Sequence, residues 1–332
     1  MERKLASIQR VVEVNPIQGA DKIEVAKILG WLVVIKKGEY KPGDLCVYAE
    51  IDSIMPERAE FEFLKDRHYR IKTVKLRGQI SQGIAFKLSV LPPGTKIEEG
   101  MDVTDMLGVT KYLPRIPAQL MGVTKGDFPS FIPKTDEQRI QSVPGVLERH
   151  KGRVFYVTEK VDGSSMTVYR REGVFGVCSR NLDLLETAEN ALWKMARQLG
   201  LEEKLAALGF DAAIQAELFG MGVQGNRYAR EKAEIAVFNI FNIAEHCYLD
   251  YAEFTDACKK WNLPTVPVID DAFVLNHNVD ELIKAAEGSS KLNPAIPREG
   301  IVIRSLQETR DPEVGRLSFK VINNQFLLKF EE

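Results

Sequence analysis

Residues 158–169 read TEKVDGSSMTVY, and the fold turns on how this stretch is read. VFYVTEK before it and MTVYRREGVFGVCSR after it alternate apolar and polar residues, the period of half-buried strands. The chain therefore turns back at 160–165 and presents Lys160 there. Glu159 and Asp162 stand beside it, and Gly163, Ser164 and Ser165 follow. A polar turn accounts for these residues taken alone. A lysine placed for chemistry would need partners elsewhere in the chain.

The 332 residues suffice for two domains, each with its own core. Hydrophobic residues at 45% and charged residues at 28% are ordinary for a globular protein, and a net charge of -2 gives no global basic excess. Nucleic-acid binding, if present, must come from local patches. Cys46, Cys178, Cys247 and Cys258 form no CxxC pair and the four histidines do not gather around them, which argues against zinc and against a disulfide framework. That usage, with no apolar leader in MERKLASIQRVVEV and no bilayer-length apolar run, predicts a cytoplasmic protein with no membrane partner.

From the start to about residue 110 the text is short strands and turns. ASIQRVVEV, KIEVAKIL, WLVVIKK, LCVYAEI and IKTVKLRG are punctuated by GAD, KKGEYKPGD and LPPG, which predicts a small β-barrel. Within it RHYRIKTVKLRG sets Arg67, Arg70, Lys72, Lys75 and Arg77 among apolar residues, either a solvated strand face or a strip that tracks phosphates. Residues 111–150 hold five prolines and read as a packed linker; Thr135 and Gln138 have capping-box spacing, predicting a helix from Asp136 to before Pro144. Residues 151–332 mix hairpin strands with helices over 185–208, 251–261 and 279–287, an α+β domain built on antiparallel sheet.

In this last domain polar residues recur at strand ends or edges in a fixed order. Lys160 and Asp162 are followed by Arg180 in CSRN, Glu217 in QAELFG, Phe241 in FNIFNI, Glu299 in REGIVIR and Lys320 in LSFKVIN. Each alone reads as a solvated charge or a core aromatic. Their order together resembles the motifs of the covalent nucleotidyltransferase superfamily of polynucleotide ligases and capping enzymes. EKVDG is similar to the KxDG motif, SR, ELFG, FNIFNI, EGIVIR and SFKVIN to the segments after it. FPSFIPKTDEQRIQ, SFKVINNQFLLK and the strand-rich first domain resemble the Deinococcus-type RNA ligases.

The resemblance implies an OB-like nucleic-acid-binding barrel over 1–110, then a nucleotidyltransferase domain over 151–332 with an ATP-grasp-like antiparallel sheet. It implies ATP-dependent joining of RNA ends, a 3′-OH and a 5′-phosphate, free or at a nick in a duplex or RNA/DNA hybrid. Lys160 would take AMP as a lysyl adenylate. Glu159, Arg180, Glu217, Phe241, Glu299 and Lys320 would line the ATP or AMP site. Phe241 would stack on adenine, Glu217 bond the ribose, Lys320 contact the α-phosphate and Arg180 the 5′-phosphate. Asp162, Glu217 and Glu299 would face Mg2+ or Mn2+, since hard oxygen ligands suit these ions. Arg180 and Lys320 would lower the pKa of Lys160 toward the neutral, nucleophilic amine. Glu159 is open between tuning the lysine and capping the strand end.

Two features depart from the wider superfamily. Ser318 stands where a further lysine is common, so Arg304 or Arg316 is expected to supply that contact. Only a dozen residues follow Lys320, leaving no room for the carboxy-terminal OB domain of DNA ligases and capping enzymes. A nick-sealing DNA ligase, a capping guanylyltransferase and a non-catalytic RNA-binding OB protein stand as alternatives, the last because GADKIEVAKILGW is similar to small tRNA-binding OB domains.

Overall fold

A computed structural model describes residues 3–113 and 122–330. The first domain is a five-stranded antiparallel sheet of Ala6–Pro16, Ile23–Ile28, Trp31–Lys36, Leu45–Ala49 and Ile84–Phe86. The third strand pairs with the second, the second with the first, the first with the fourth and the fourth with the fifth. The ends nearly meet: the Leu32 carbonyl accepts from Gln82 N–H at 2.8 Å, and Val34 N–H donates to Ser81 Oγ at 2.9 Å. Ile8, Val11, Ile28, Trp31, Val33 and Tyr48 fill the interior.

RHYRIKTVKLRG is not the barrel strand its alternation predicts. Arg67 ends a 3-10 helix at Ala59–Arg67, His68 and Tyr69 have φ of 51° and 60°, and only Val74–Leu76 is extended, in a hairpin with Gln79–Ser81. The competing bonds come from a segment well before it in the chain: Ile71 N–H donates to Ser53 O at 2.8 Å and Asp52 N–H to Ile71 O at 2.9 Å. Ile84–Phe86 takes the fifth place in the barrel instead.

The second domain packs two sheets. One runs Thr124–Asp127, Leu182–Leu184, Val174–Cys178, Ser164–Arg171, Ala212–Gly220, Ala233–Asn242, Cys247–Tyr248. The other runs Gln138–Arg139, Ser318–Ile322, Gly300–Ser305, Val154–Lys160, Val268–Val274. The expected hairpin turns at Glu172 and Gly173, both with positive φ. The single helix expected over 185–208 is two, Ala191–Gln198 and Leu201–Ala206, divided at Gly200.

The segment 122–150 belongs to both sheets rather than lying over them. The helix expected from Asp136 is absent: Gln138 and Arg139 pair in parallel with Phe319 and Lys320, a 3-10 turn covers Ile140–Ser142, and the helix is Gly145–Arg149. Extended pairing here satisfies the backbone and sends Asp136 and Glu137 toward basic partners, which outweighs a cap at Thr135.

The barrel is locked to the second domain. Arg139 Nη2 bonds Asp52 at 2.9 Å, Ser142 Oγ donates to Glu50 at 2.6 Å, and Gly30 N–H donates to Gln141 O at 2.9 Å. A Cβ at Gly30 would lie 2.8 Å from Gln141 Cα, so this approach needs glycine. Ile322 and Leu327, the latter on the helix Asn324–Phe330, complete the barrel core. Burying each is worth about 1.5–3 kcal/mol.

Candidate active site

Strand register places the key side chains. Lys160 pairs with Gly300, Thr158 with Val302, and Val302 with Lys320. Cross-strand partners and alternate residues share a face, so Lys160, Thr158, Arg304, Ser318 and Lys320 point the same way. The opposite face carries Phe155, Val157, Ile301, Ile303, Phe319 and Val321 into a core. In the larger sheet Ser165 pairs with Glu217, and the apolar face of Met166, Ile214, Leu218 and Val237 is turned away from them.

Lys160 Nζ donates to Glu299 Oε1 at 2.5 Å. Burial opposes its charge, but Glu299, Glu217 and Asp162 outweigh burial and hold the ammonium above the ordinary lysine value. The expected lowering of the Lys160 pKa by Arg180 and Lys320 is therefore not found, because carboxylates are the nearest charges. The lowering falls on Lys320 instead, moved to about 8 by burial, with Lys160 and Arg139 adding to it against Asp136. Burial pushes Glu217 up to about 8, and burial with Glu299 pushes Asp162 to about 6 against the pull of Arg227. Three acids thus surround one amine, and Glu299 Oε2 is buried with no hydrogen-bond partner. An orphaned carboxylate oxygen beside two more acids fits a hard divalent cation. Among the described residues no group of three acids, histidines or cysteines already stands in coordinating geometry; Lys160 pairs with Glu299 and Arg227 with Asp162.

The turn after Lys160 is held by the loop 221–230. Asp162 N–H donates to Tyr228 Oη at 2.7 Å, Gln224 Nε2 to Gly163 O at 3.3 Å, and Arg227 pairs with Asp162. Arg227 also lies 5.4 and 5.0 Å from the ring centroids of Phe326 and Phe330. Gly163 is small for a packing reason: a Cβ there would stand 2.2 Å from Leu218 O.

Four expected residues sit differently. Glu159 points away from Lys160, is 1% exposed, and accepts from Lys291 N–H at 2.7 Å, so it holds a loop rather than lining the cleft. Phe241 is 1% exposed in a cluster with Ile132, Tyr169 and Cys178 and offers no open face. A bulge between the pairs Ala216–Val237 and Gln215–Asn239 inserts Phe238, which is half-buried beside Val161 and 5.8 Å from Arg304. Arg304 and Arg316 do not stand free to replace a lysine at Ser318. Arg304 bonds Glu137 at 2.8 Å, and Arg316 bonds Glu308 at 3.0 Å and covers the Tyr248 ring.

Of the basic strip, Arg70 is buried, bonds Asp52 at 3.5 Å and stacks 3.6 Å over Tyr112. Arg67, Lys75 and Arg77 are exposed and Lys72 is half-buried. Arg67, Arg70 and Lys72 do come together, with His68 and Tyr112, around a cavity of about 420 Å³. Sequence reasoning missed Asp136, Glu137, Arg139 and Arg227. Asp136 bonds Lys111 at 2.6 Å, Arg180 at 3.2 Å and Lys320 at 3.4 Å.

A half-buried lysine bonded to a carboxylate, between two largely antiparallel sheets and behind a small barrel, narrows the chain to the nucleotide-transferring ligases. The RNA ligase family pattern matches residues 153–322 and an OB-fold domain pattern matches residues 5–88. Three solved structures of Naegleria gruberi RNA ligase are similar over nearly the whole chain. An apo mutant shares 39% identity at a TM-score of 0.93, covering 99% of both chains. A mutant with ATP and Mn shares 39% at 0.92, again covering 99% of both chains, and the form with PPi shares 40% at 0.92 with the same coverage. Among curated proteins no significant match is found. The chain belongs to the RNA ligase family and carries its OB domain ahead of the ligase domain.

Proposed function

We propose that this RNA ligase uses ATP and a divalent metal, and that Lys160 carries the nucleotide between them and the RNA. The observation that carries this reading is the half-buried Lys160 amine, bonded to Glu299 and held in the charge of Glu217 and Asp162. Lys160 Nζ attacks the α-phosphorus of ATP, an N–P bond forms and pyrophosphate leaves. The RNA 5′-phosphate then takes the AMP, and a 3′-OH displaces it to seal the strand. The metal, Mg2+ or Mn2+ held through Asp162, Glu217 and Glu299, would offset the acidic field that keeps Lys160 charged and neutralise phosphate charge.

The chain's own groups do the rest. Glu299 Oε1, at 2.5 Å, is placed to receive the Lys160 proton. Lys320 faces the same cleft as a partly desolvated cation for the α-phosphate. Phe238, in place of Phe241, provides the flat face for adenine. On the barrel, Arg67, Lys72 and the Arg70–Tyr112 stack surround a cavity suited to a single strand. RNA ends are the substrate; ends held at a nick in a duplex or an RNA/DNA hybrid are the finer reading. The four cysteines are free, which supports a reducing, cytoplasmic setting.

The test is incubation with α-labelled ATP and either metal, followed by denaturing electrophoresis. Wild type should carry a covalent label that Lys160→Ala abolishes. A wild type that takes no label with Mg2+ or Mn2+ would sink the proposal.

A further inference from the structure

The Arg227 guanidinium has partners of two kinds. It pairs with the Asp162 carboxylate, and its central carbon lies 5.4 and 5.0 Å from the ring centroids of Phe326 and Phe330. The two charged side chains are 25% and 16% exposed, so water screens the pair only in part. The turn after Lys160 does not depend on this pair. Tyr228 Oη already accepts from Asp162 N–H, and Gln224 Nε2 already donates to Gly163 O.

The loop fixes the aim of Arg227. Gln224, Asn226 and Ala229 have φ of 44°, 50° and 52°, a region that residues other than glycine keep only where their surroundings hold them. Asn226 supplies the hold: its Oδ1 accepts from Arg230 N–H and its Nδ2 donates to Arg230 O, both at 2.9 Å. Asn293 Nδ2 adds a bond to Arg227 O at 3.3 Å. The two rings stand on the helix Asn324–Phe330, which is seated in the barrel: Leu327 lies in the barrel core, and Asn324 Oδ1 accepts from Gln82 Nε2 at 3.1 Å. Arg227 is thus aimed at Asp162 by both domains.

We propose that Arg227 is a positioning residue that acts through Asp162: it holds the carboxylate as a built-in counter-ion, competes with the divalent ion for it, and so sets the metal concentration at which the site loads. The inference rests on the ligase reading, in which Asp162 faces the metal. A guanidinium bonded to that carboxylate repels a doubly charged ion at close range, and in a partly buried site the repulsion is strong. On yielding Asp162, Arg227 keeps its two rings, so its charge stays partnered on an aromatic face.

Full-length protein is titrated with Mn2+ alone, and the unbound ion is read by electron paramagnetic resonance. Arg227→Met keeps packing on the rings and drops the charge. It should bind Mn2+ at least about fivefold tighter than wild type, as should Arg227→Gln, whereas Arg227→Lys should stay within about twofold of wild type. In an Asp162→Asn background Arg227→Met should change the affinity by less than about twofold, because the contested carboxylate is gone. Covalent labelling with α-labelled ATP on the same samples should reach half its maximum at a Mn2+ concentration lowered by the same factor. Unchanged or weaker Mn2+ binding in Arg227→Met and Arg227→Gln would overturn the proposal. So would a gain that persists in full beside Asp162→Asn, or a half-maximum that does not move. Wild type that labels with AMP while Arg227→Met binds Mn2+ no tighter refutes the counter-ion role alone; wild type that takes no label with either metal refutes the ligase reading.

Discussion

Glu137 and Arg304 form an ion pair of 2.8 Å beneath the cleft, with the Arg304 side chain only 4% exposed. Arg304 Nη1 also reaches Thr158 Oγ1 at 3.3 Å, and Ser318 Oγ reaches Glu137 at 3.4 Å, so the pair ties the 122–150 segment to three strands of the smaller sheet. The guanidinium draws the Glu137 pKa down to about 2 although burial opposes it. Glu137→Ala strands a buried cation and should cost about 3–5 kcal/mol in urea unfolding. Glu137→Ala with Arg304→Met should recover much of that loss. A double variant no more stable than the single one would contradict the pairing.

The two phenylalanines of FNIFNI should respond differently to truncation. Phe241→Ala opens a cavity in a closed cluster and should destabilise by about 3–5 kcal/mol. Phe238→Ala should leave stability nearer wild type and weaken ATP binding by about 1–3 kcal/mol, the range for a base stacked on an aromatic ring. Equilibrium ATP binding and thermal unfolding on both variants decide which ring serves the nucleotide.

Glu217 gives a pH signature. Its folded pKa, about 8, lies above the ordinary glutamate value, so its protonated form favours the folded state. That contribution is complete below the unfolded pKa and is lost as pH rises through about 8. Glu217→Gln keeps the neutral form at every pH. Without metal or nucleotide, the Tm difference between Gln and wild type should therefore widen from pH 5 to pH 8, by about 2–4 °C per kcal/mol. A difference flat with pH would show that Glu217 ionises freely.

Lys320 predicts proton uptake. Its pKa of about 8 in the free protein should rise when a phosphate binds beside it, so ATP binding near pH 8.5 should take up protons. Isothermal titration in buffers of different ionisation enthalpy should show this, and affinity should fall as pH rises past about 8. Lys320→Arg, charged at all these pH values, should remove both effects.

Lys160 ends its strand, Glu299 stands immediately before one, and Glu217 and Lys320 lie within theirs, so all four are legible as charges set against runs of strand-forming residues. The site's other half is not. Gln138–Arg139 is a two-residue parallel ladder with no period to read, so Asp136 and Glu137 looked like a helix start. Phe238 and Phe241 share one hexapeptide, and a bulge in the neighbouring pairing decides which of them faces Val161. Arg227 lies in a loop of turn-forming residues, and its rings come from about a hundred positions later. The alternation of RHYRIKTVKLRG was real but lost to short bonds with Ser53 and Asp52. In each case a distant contact, invisible in local composition, set the outcome.

The seating of Ile322 and Leu327 inside the barrel bears on how the chain is made. A ribosome delivers the barrel's own five strands within the first ninety residues, yet two side chains of that core come from beyond residue 320. Amino-terminal domains ordinarily fold as units during synthesis. This one must wait, with a gap in its apolar interior, while some two hundred and thirty further residues emerge. The same late segment brings Lys320 beside Arg139. Nascent chains should thus be both unsealed and inactive until the final strand docks, so that closing the barrel and arming the cleft are one late event.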